Sequence, residues 1–165
     1  MPAEFRPRAL LSHLTLRGVD FVIVGGIATV LHGSERNTFD LDVCPAQDQE
    51  NLDALGRTLI ELEAKLRGIE EDIPFVPDGR SLAGMQILTL DTTLGPLDIL
   101  TRPDGSPPYK SLRSRALRVN VGATAVLVAS IEDLLAMKRS ADRPKDREDV
   151  ERLQALQDLK TRLAR

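Results

Sequence analysis

The chain has 165 residues and a formal net charge of −3, with 42% hydrophobic and 28% charged residues. This length is typical of one domain with its own core, and the single cysteine, Cys44, excludes an internal disulfide bond. The negative charge argues against a surface devoted as a whole to nucleic acid, and neither a membrane span nor a secretory signal is recognisable, so we expect a cytoplasmic protein without a membrane partner.

The first half of the chain alternates between helical and strand-like apolar patterns. In chain order these patterns predict helix 6–16, strand 20–24, helix 27–32, strand 39–43 and helix 49–66. We expect Pro45 to stop the second strand, Asp48 to cap the third helix and Gly68 to end it. Residues 70–82 contain prolines and glycine, which predicts a mostly irregular segment.

The second half predicts two hairpins followed by two helices. In chain order the elements are strands 86–90 and 96–100, a helical turn at 109–114, strands 117–121 and 125–128, helix 131–139 after Ser130, and helix 146–163. The last helix carries an apolar stripe at Val150, Leu153, Leu156, Leu159 and Leu163. We therefore expect a single α/β (α+β) domain over residues 1–165, with a small mixed sheet flanked by helices within about 1–128 and a helical part at about 130–165.

Acidic side chains alternate with apolar ones in the segment Phe39-Asp40-Leu41-Asp42-Val43. On a strand, Asp40 and Asp42 would share one face while Phe39, Leu41 and Val43 face the core. A third acid, Asp98, lies between apolar residues of another predicted strand, and would join the pair if the two strands are neighbours. Such acids are common on solvent-facing strands, but three together are typical ligands of Mg²⁺ in phosphoryl chemistry.

Two glycines, Gly25 and Gly26, connect the buried strand 20–24 to the following helix. Glycines there allow a ligand to approach the backbone, and the N–H groups that open a helix favour an anion such as a triphosphate. A tight turn that binds nothing has the same local sequence. The order of the features, a glycine pair before two acids and then a third, favours a nucleotide site.

The segment 24–42, VGGIATVLHGSERNTFDLD, resembles the signature of the DNA polymerase beta-type nucleotidyltransferase superfamily. It is most similar to that of small bacterial nucleotidyltransferases, which include the AbiEii-type abortive-infection toxins. The segment 138–149, KRSADRPKDRED, is similar to the C-terminal Lys…Arg…Lys-Asp…Asp motif of that group. The resemblance implies the nucleotidyltransferase fold, with both motifs contributing to one site.

The resemblance also implies roles for individual residues. Asp40, Asp42 and Asp98 would be the catalytic residues and the ligands of two Mg²⁺ ions, and Asp98 would help to activate the acceptor hydroxyl. The nucleoside triphosphate would be bound by Gly25, Gly26, Lys138 and Asp146. Ile27 stands where many members have Ser, and we expect Arg36 and Thr38 to take over part of the phosphate contact.

The expected activity is transfer of a nucleotide from a nucleoside triphosphate to a hydroxyl of RNA, protein or a small molecule. A toxin paired with an antitoxin partner, with tRNA as acceptor, is one form of this expectation, and a non-catalytic relative that only binds and regulates is the alternative. His32 could be a base, but its place near a helix end favours packing, and Cys44 is typical of a small buried residue. Basic residues at 102, 110, 113, 115 and 118 are typical of a solvated face.

Overall fold

A computed structural model describes residues 3–69, 75 and 77–164. The helices in this part of the chain are α1 (Pro7–Leu16), α2 (Gly25–Leu31), α3 (Gln49–Glu61), α4 (Gly79–Ala83), α5 (Tyr109–Arg115), α6 (Ile131–Ala141) and α7 (Pro144–Leu163). The strands are β1 (Phe21–Val24), β2 (Leu41–Pro45), β3 (Lys65–Leu66), β4 (Ile87–Thr92), β5 (Gly95–Leu100), β6 (Leu117–Val121) and β7 (Thr124–Val128). None of the described helices is long and apolar enough to cross a membrane.

The strands form one seven-stranded sheet in the order β3-β4-β5-β2-β1-β7-β6. The pairs β2–β5 and β1–β7 are parallel, and the other neighbours are antiparallel. All four residues of β1 are buried, as expected for a strand near the middle of a sheet that helices cover. The prediction of a mixed sheet flanked by helices, with helices at the C-terminus, is therefore confirmed.

Helix α3 ends at Glu61, five residues before the predicted end, and Gly68 does not terminate it. Glu63 adopts a left-handed conformation with φ of 51°, and the chain then forms β3, in which Leu66 pairs with Leu90. The apolar spacing of Leu62 and Leu66 suits a helix, but pairing with the sheet edge is the stronger constraint. The helical prediction was wrong for this segment.

Strand β2 begins at Leu41 rather than Phe39, and Pro45 is its last residue instead of stopping it from outside. The register with β1, in which Pro45 lies opposite Phe21, extends the strand to that point. Phe39 is therefore outside the sheet and 74% exposed, so the prediction that it faces the core was wrong. Leu41 and Val43 do face the core.

Other boundaries moved less. Helix α2 begins at Gly25, two residues earlier than predicted, and α4 lies inside the segment 70–82 that was expected to be irregular, of which 70–74 and 76 fall outside the described residues. The apolar stripe of α7 is buried at Leu153, but Leu159 and Leu163 are 52% and 77% exposed. The side chains of Asp48 and Ser130 cap α3 and α6 as predicted.

Asn51 on α3 connects the two strands that lead to the acidic residues. Its side-chain amide donates to the carbonyl oxygens of Asp20 and Ala46, at 2.9 Å each, and its oxygen accepts from the backbone N–H of Asp20 at 2.7 Å. Asp20 precedes β1 and Ala46 follows β2. The buried amide therefore fixes the start of β1 and the end of β2 against α3.

Replacing Asn51 by Ala should lower the free energy of unfolding by roughly 2–3 kcal/mol, because the Asp20 N–H and the Ala46 carbonyl lose their side-chain partner and the Asp20 carbonyl keeps only the Ala46 N–H. Urea unfolding measures this change. Asn120→Ala, at an exposed position of β6, is the matched control and should change stability by less than about 0.5 kcal/mol. Equal effects of the two substitutions would contradict the role of Asn51 in holding β1 and β2 against α3.

Candidate active site

Strand pairing brings the three predicted acids together. In the parallel pair β2–β5, Asp42 lies directly opposite Asp98, and Asp40 comes immediately before β2. One carboxylate oxygen of each residue lies within 4.8 Å of the other two. The sequence predicted this convergence only on the condition that the two strands are neighbours, and in the fold they are.

The three carboxylates repel each other in a partly buried place. Burial raises the pKa of Asp42 to about 7, and the charges of Asp40 and Asp98 add to this shift. Burial also raises the pKa of Asp98, although the guanidinium of Arg67 opposes that change. Concentrated negative charge and a set of oxygen donors fit a hard divalent cation such as Mg²⁺, which would favour the ionised form of all three groups.

The glycine pair lies against these acids because β1 is the other neighbour of β2, with Val24 opposite Asp42. Gly25 has φ of +70°, and a side chain there would overlap the carboxylate of Asp42. A β-carbon on Gly26 would lie 2.9 Å from the hydroxyl oxygen of Thr38 and 3.6 Å from the Arg36 guanidinium carbon. Only glycine permits the backbone to come this close to the acids and to the loop before β2.

A charge cluster built around two buried acids of the last helix, Asp146 and Asp149, joins this site. Lys138 on α6 contacts Asp146 and Asp149 on α7, at 3.2 and 3.1 Å, and Arg36 donates to Asp149 at 2.5 Å. Arg143 donates to Asp146 from its side chain at 2.7 Å and from its backbone N–H at 3.1 Å. We call these five residues the C-terminal charge cluster.

The charges of this cluster act both within it and on the neighbouring acids of the sheet. Burial alone would raise the pKa of Asp146, but hydrogen bonds from Arg143 and Lys138 outweigh it and lower the pKa to about 2. The positive charge of Lys138 also opposes the upward shift of the Asp42 pKa. The predicted nucleotide-binding residues Arg36, Lys138 and Asp146 therefore belong to one connected group next to the acids.

Arg67 and Asp91 belong to the same site, and sequence reasoning missed them. The Arg67 guanidinium donates to Asp98 at 2.9 Å, to the Leu90 carbonyl at 2.7 Å and to Asp91 at 3.3 Å. Residue 67 follows a segment that was predicted to be helical, so no local pattern pointed to it. Asp149 was also missed as an individual residue, although it ends the second motif.

His32 and Cys44 lie apart from this chemistry. The His32 ring bonds to the Ala129 carbonyl through Nε2 at 2.7 Å and to the Lys160 amine through Nδ1 at 3.1 Å, and burial lowers its pKa. A neutral ring that donates from Nε2 and accepts at Nδ1 satisfies both contacts. Cys44 is buried, and burial raises its pKa to about 11, which agrees with a packing role. In the basic stretch 102–118, Arg113 and Arg115 pair with Asp20 and Asp133.

Comparison with solved structures decides the fold. The lincosamide antibiotic adenylyltransferase LnuA, solved with lincomycin bound, superposes with a TM-score of 0.62 at 17% identity, over 93% of this chain and 99% of LnuA. ANT(2")-Ia in complex with adenylyl-2"-tobramycin gives a TM-score of 0.55 at 16% identity, over 87% of this chain and 83% of that one. The chain has the nucleotidyltransferase fold.

A third structure with this fold is an antigenic nucleotidyltransferase-like protein from Paracoccidioides brasiliensis. It gives a TM-score of 0.52 at 19% identity, over 92% of this chain and 73% of that one. No protein-family model matches the chain, and no curated protein is detectably similar to it in sequence. The nucleotidyltransferase fold is thus established by structure, whereas the AbiEii-type subgroup stays a prediction.

The acids of this nucleotidyltransferase fold should reduce its stability when no cation is present. Because the pKa of Asp42 in the folded protein is about 7, above its ordinary value of 3.8, the folded state binds the extra proton and stability falls as pH rises between these values. Asp42→Asn should therefore raise the melting temperature above pH 7, where the cost is fully present, and change it little at pH 4.

Scanning calorimetry across this pH range, with and without Mg²⁺, measures both effects. Mg²⁺ should stabilise the wild-type protein above pH 7 and the Asp42→Asn variant much less. A substitution that destabilises the protein equally at every pH would contradict the electrostatic account.

Proposed function

We propose that the chain is a metal-dependent nucleotidyltransferase that transfers a nucleoside monophosphate from a nucleoside triphosphate to an acceptor hydroxyl. The observation that carries the proposal is the convergence of Asp40, Asp42 and Asp98 directly beside Gly25 and Gly26. Fold alone does not determine activity. The proposal therefore rests on the site, which combines a place for metal, a glycine pair directly beside it and nearby cations, of which Lys138 and Arg36 are partly buried.

The nucleotide side of the site consists of the glycine pair and the C-terminal charge cluster. The backbone at Gly25 lies against the Asp42 carboxylate, so a phosphate bound by the backbone N–H groups there would be next to the metal ligands, and the Thr38 hydroxyl is close to Gly26. This hydroxyl supports the proposal that Thr38 replaces the serine that is missing at Ile27. Lys138 is only 12% exposed in its side chain and would meet the phosphates from α6, where Asp146 and Asp149 hold it in position.

Two Mg²⁺ ions, held by Asp40, Asp42 and Asp98, would neutralise phosphate charge and stabilise the attacking and leaving oxygens. The acceptor hydroxyl oxygen forms a bond to the α-phosphorus while the bond from this phosphorus to the bridging oxygen breaks. Pyrophosphate leaves with the electron pair of that bond, and Asp98 takes the hydroxyl proton. The chain itself contributes orientation and charge placement.

The acceptor is proposed from the same fold neighbours. One is named as an antibiotic adenylyltransferase and another contains an adenylylated aminoglycoside, so a hydroxyl of a small molecule of this kind is the preferred acceptor. ATP is then the natural donor. A toxin that modifies tRNA and is controlled by an antitoxin partner, as in AbiEii-type proteins, is the other form of the proposal, and it predicts transfer to RNA. The non-catalytic alternative predicts nucleotide binding without transfer.

Replacing Asp42 by Ala should abolish Mg²⁺-dependent binding of the triphosphate and all transfer, because the central acid of the three is lost. Isothermal titration calorimetry with a non-hydrolysable ATP analogue and Mg²⁺ measures the binding, and α-labelled ATP measures the transfer. Asp158→Ala removes an exposed acid of α7 and is the matched control, which should bind and react as the wild type does. Undiminished binding by the Asp42→Ala variant would refute the site.

A further inference from the structure

The order of strands separates the two sides of the acidic site. Neighbouring strands of the sheet follow in the order β4, β5, β2 and β1, so Asp98 on β5 and Asp42 on β2 lie between the outer two strands. Gly25 follows β1 and approaches Asp42 from one side. Arg67, whose backbone N–H donates to Thr89 of β4, approaches Asp98 from the other. In-line displacement needs the acceptor opposite the leaving pyrophosphate, so a triphosphate at the glycines puts the acceptor on the Arg67 side.

A pocket of about 530 Å³ extends to that side from the loop of Arg36 and Thr38, which lies against Gly26. Its walls come from the loop before β2, from Arg67 and from the β4–β5 hairpin, and include Asn37, Thr38, Phe39, Asp40, Arg67 and Asp91. The volume is within the roughly 300–1,000 Å³ of small-molecule sites in proteins. Asp40 is common to this pocket and to the acidic site, so a molecule bound here would lie next to the metal ligands.

Phe39 gives the pocket an apolar face. The chain has only four Phe and one Tyr, yet this ring is 74% exposed. Burying a phenylalanine side chain contributes roughly 1.5–3 kcal/mol, which the fold forgoes here. A flat exposed ring at the wall of a pocket is suited to the apolar face of a sugar or a similar ring.

The two guanidinium groups that line the pocket are already paired within the protein, whereas Asp40 adds a carboxylate without a cationic partner in the described part of the chain. Arg36 is bound by Asp149, and Arg67 is bound by Asp98 and Asp91. The lining therefore offers no unpaired guanidinium to the phosphates of a nucleic acid, which dominate the binding of such polyanions. The Asn37 amide and the Asp40 carboxylate in the lining suit hydroxyl groups instead.

We propose that this pocket is the acceptor site, and that its acceptor is a neutral, hydroxyl-bearing small molecule of about the size of one or two sugar rings that stacks on Phe39. Arg67 is a positioning residue, since its bonds to Asp98, Asp91 and the Leu90 carbonyl hold the Asp98 carboxylate towards the incoming hydroxyl. This proposal rests on the proposed nucleotidyl transfer and specifies the substrate class of the same site.

The test uses α-labelled ATP and Mg²⁺ with two acceptor pools from one bacterial extract, the small-molecule filtrate and the purified RNA. Wild-type protein should label the filtrate and leave the RNA unlabelled. Phe39→Ala should raise the filtrate concentration for half-maximal transfer about tenfold, with an unchanged KM for ATP. Arg67→Met should lower kcat about a hundredfold without changing the KM for ATP, and Arg67→Lys should restore part of it. Leu117→Ala, at an exposed position of β6, is the control and should react like the wild type.

Labelled RNA would overturn the proposed acceptor class. A raised KM for ATP in the Phe39→Ala variant would assign the pocket to the nucleotide instead. Undiminished transfer by the Phe39→Ala and Arg67→Met variants would show that the pocket has no part in the reaction. The melting temperature of each variant is measured as well, and a value near that of the wild type shows that a loss of transfer is not caused by misfolding. If the wild type binds ATP and Mg²⁺ but labels neither pool, the nucleotidyl transfer itself fails, and the acceptor site with it.

Discussion

Repulsion among three carboxylates is the constraint on which the rest of the site depends. The parallel register of β2 and β5 forces Asp42 and Asp98 side by side, and Asp40 enters from the preceding loop. A fold selected only for stability would not hold acids together where burial raises the pKa of one of them to about 7. In the proposed function a divalent cation would turn this arrangement from a destabilising one into a binding site, and the absence of a side chain at Gly25 lets the backbone come close to the Asp42 carboxylate.

The C-terminal helices supply positive charge near these acids without cancelling them. Lys138 and Arg36 share Asp149, which is 2% exposed, so each cation is held in place by an acid of α7. Removing one partner of such a buried pair is strongly unfavourable, because the other charge is left without compensation. The cluster thereby fixes the loop before β2 to the helical part, and in the proposed function it would hold Lys138 near the triphosphate while the acids stay available for metal.

Much of the fold and part of the site followed from local patterns. A short apolar run before Gly25 predicted β1, strand-like segments around turns predicted β5 and the β6–β7 hairpin, and the motif order brought Asp40, Asp42 and Asp98 into one hypothesis. Local patterns failed where long-range pairing decided the outcome. Helix α3 stops at Glu61 because the chain turns there so that Lys65 and Leu66 pair with β4, and Arg67 reaches Asp98 only through that pairing. Phe39 was misplaced because its alternation with the acids resembles a strand, whereas the sheet begins two residues later.

The central claim, that the three acids form a metal site beside the bound triphosphate, is tested most directly by crystals grown with Mn²⁺ and a non-hydrolysable ATP analogue. Mn²⁺ replaces Mg²⁺ among oxygen ligands and gives an anomalous signal. The account predicts anomalous density among the carboxylates of Asp40, Asp42 and Asp98, with the triphosphate extending towards Gly25 and Gly26. Density for the analogue elsewhere, or Mn²⁺ without contact to Asp42, would contradict it.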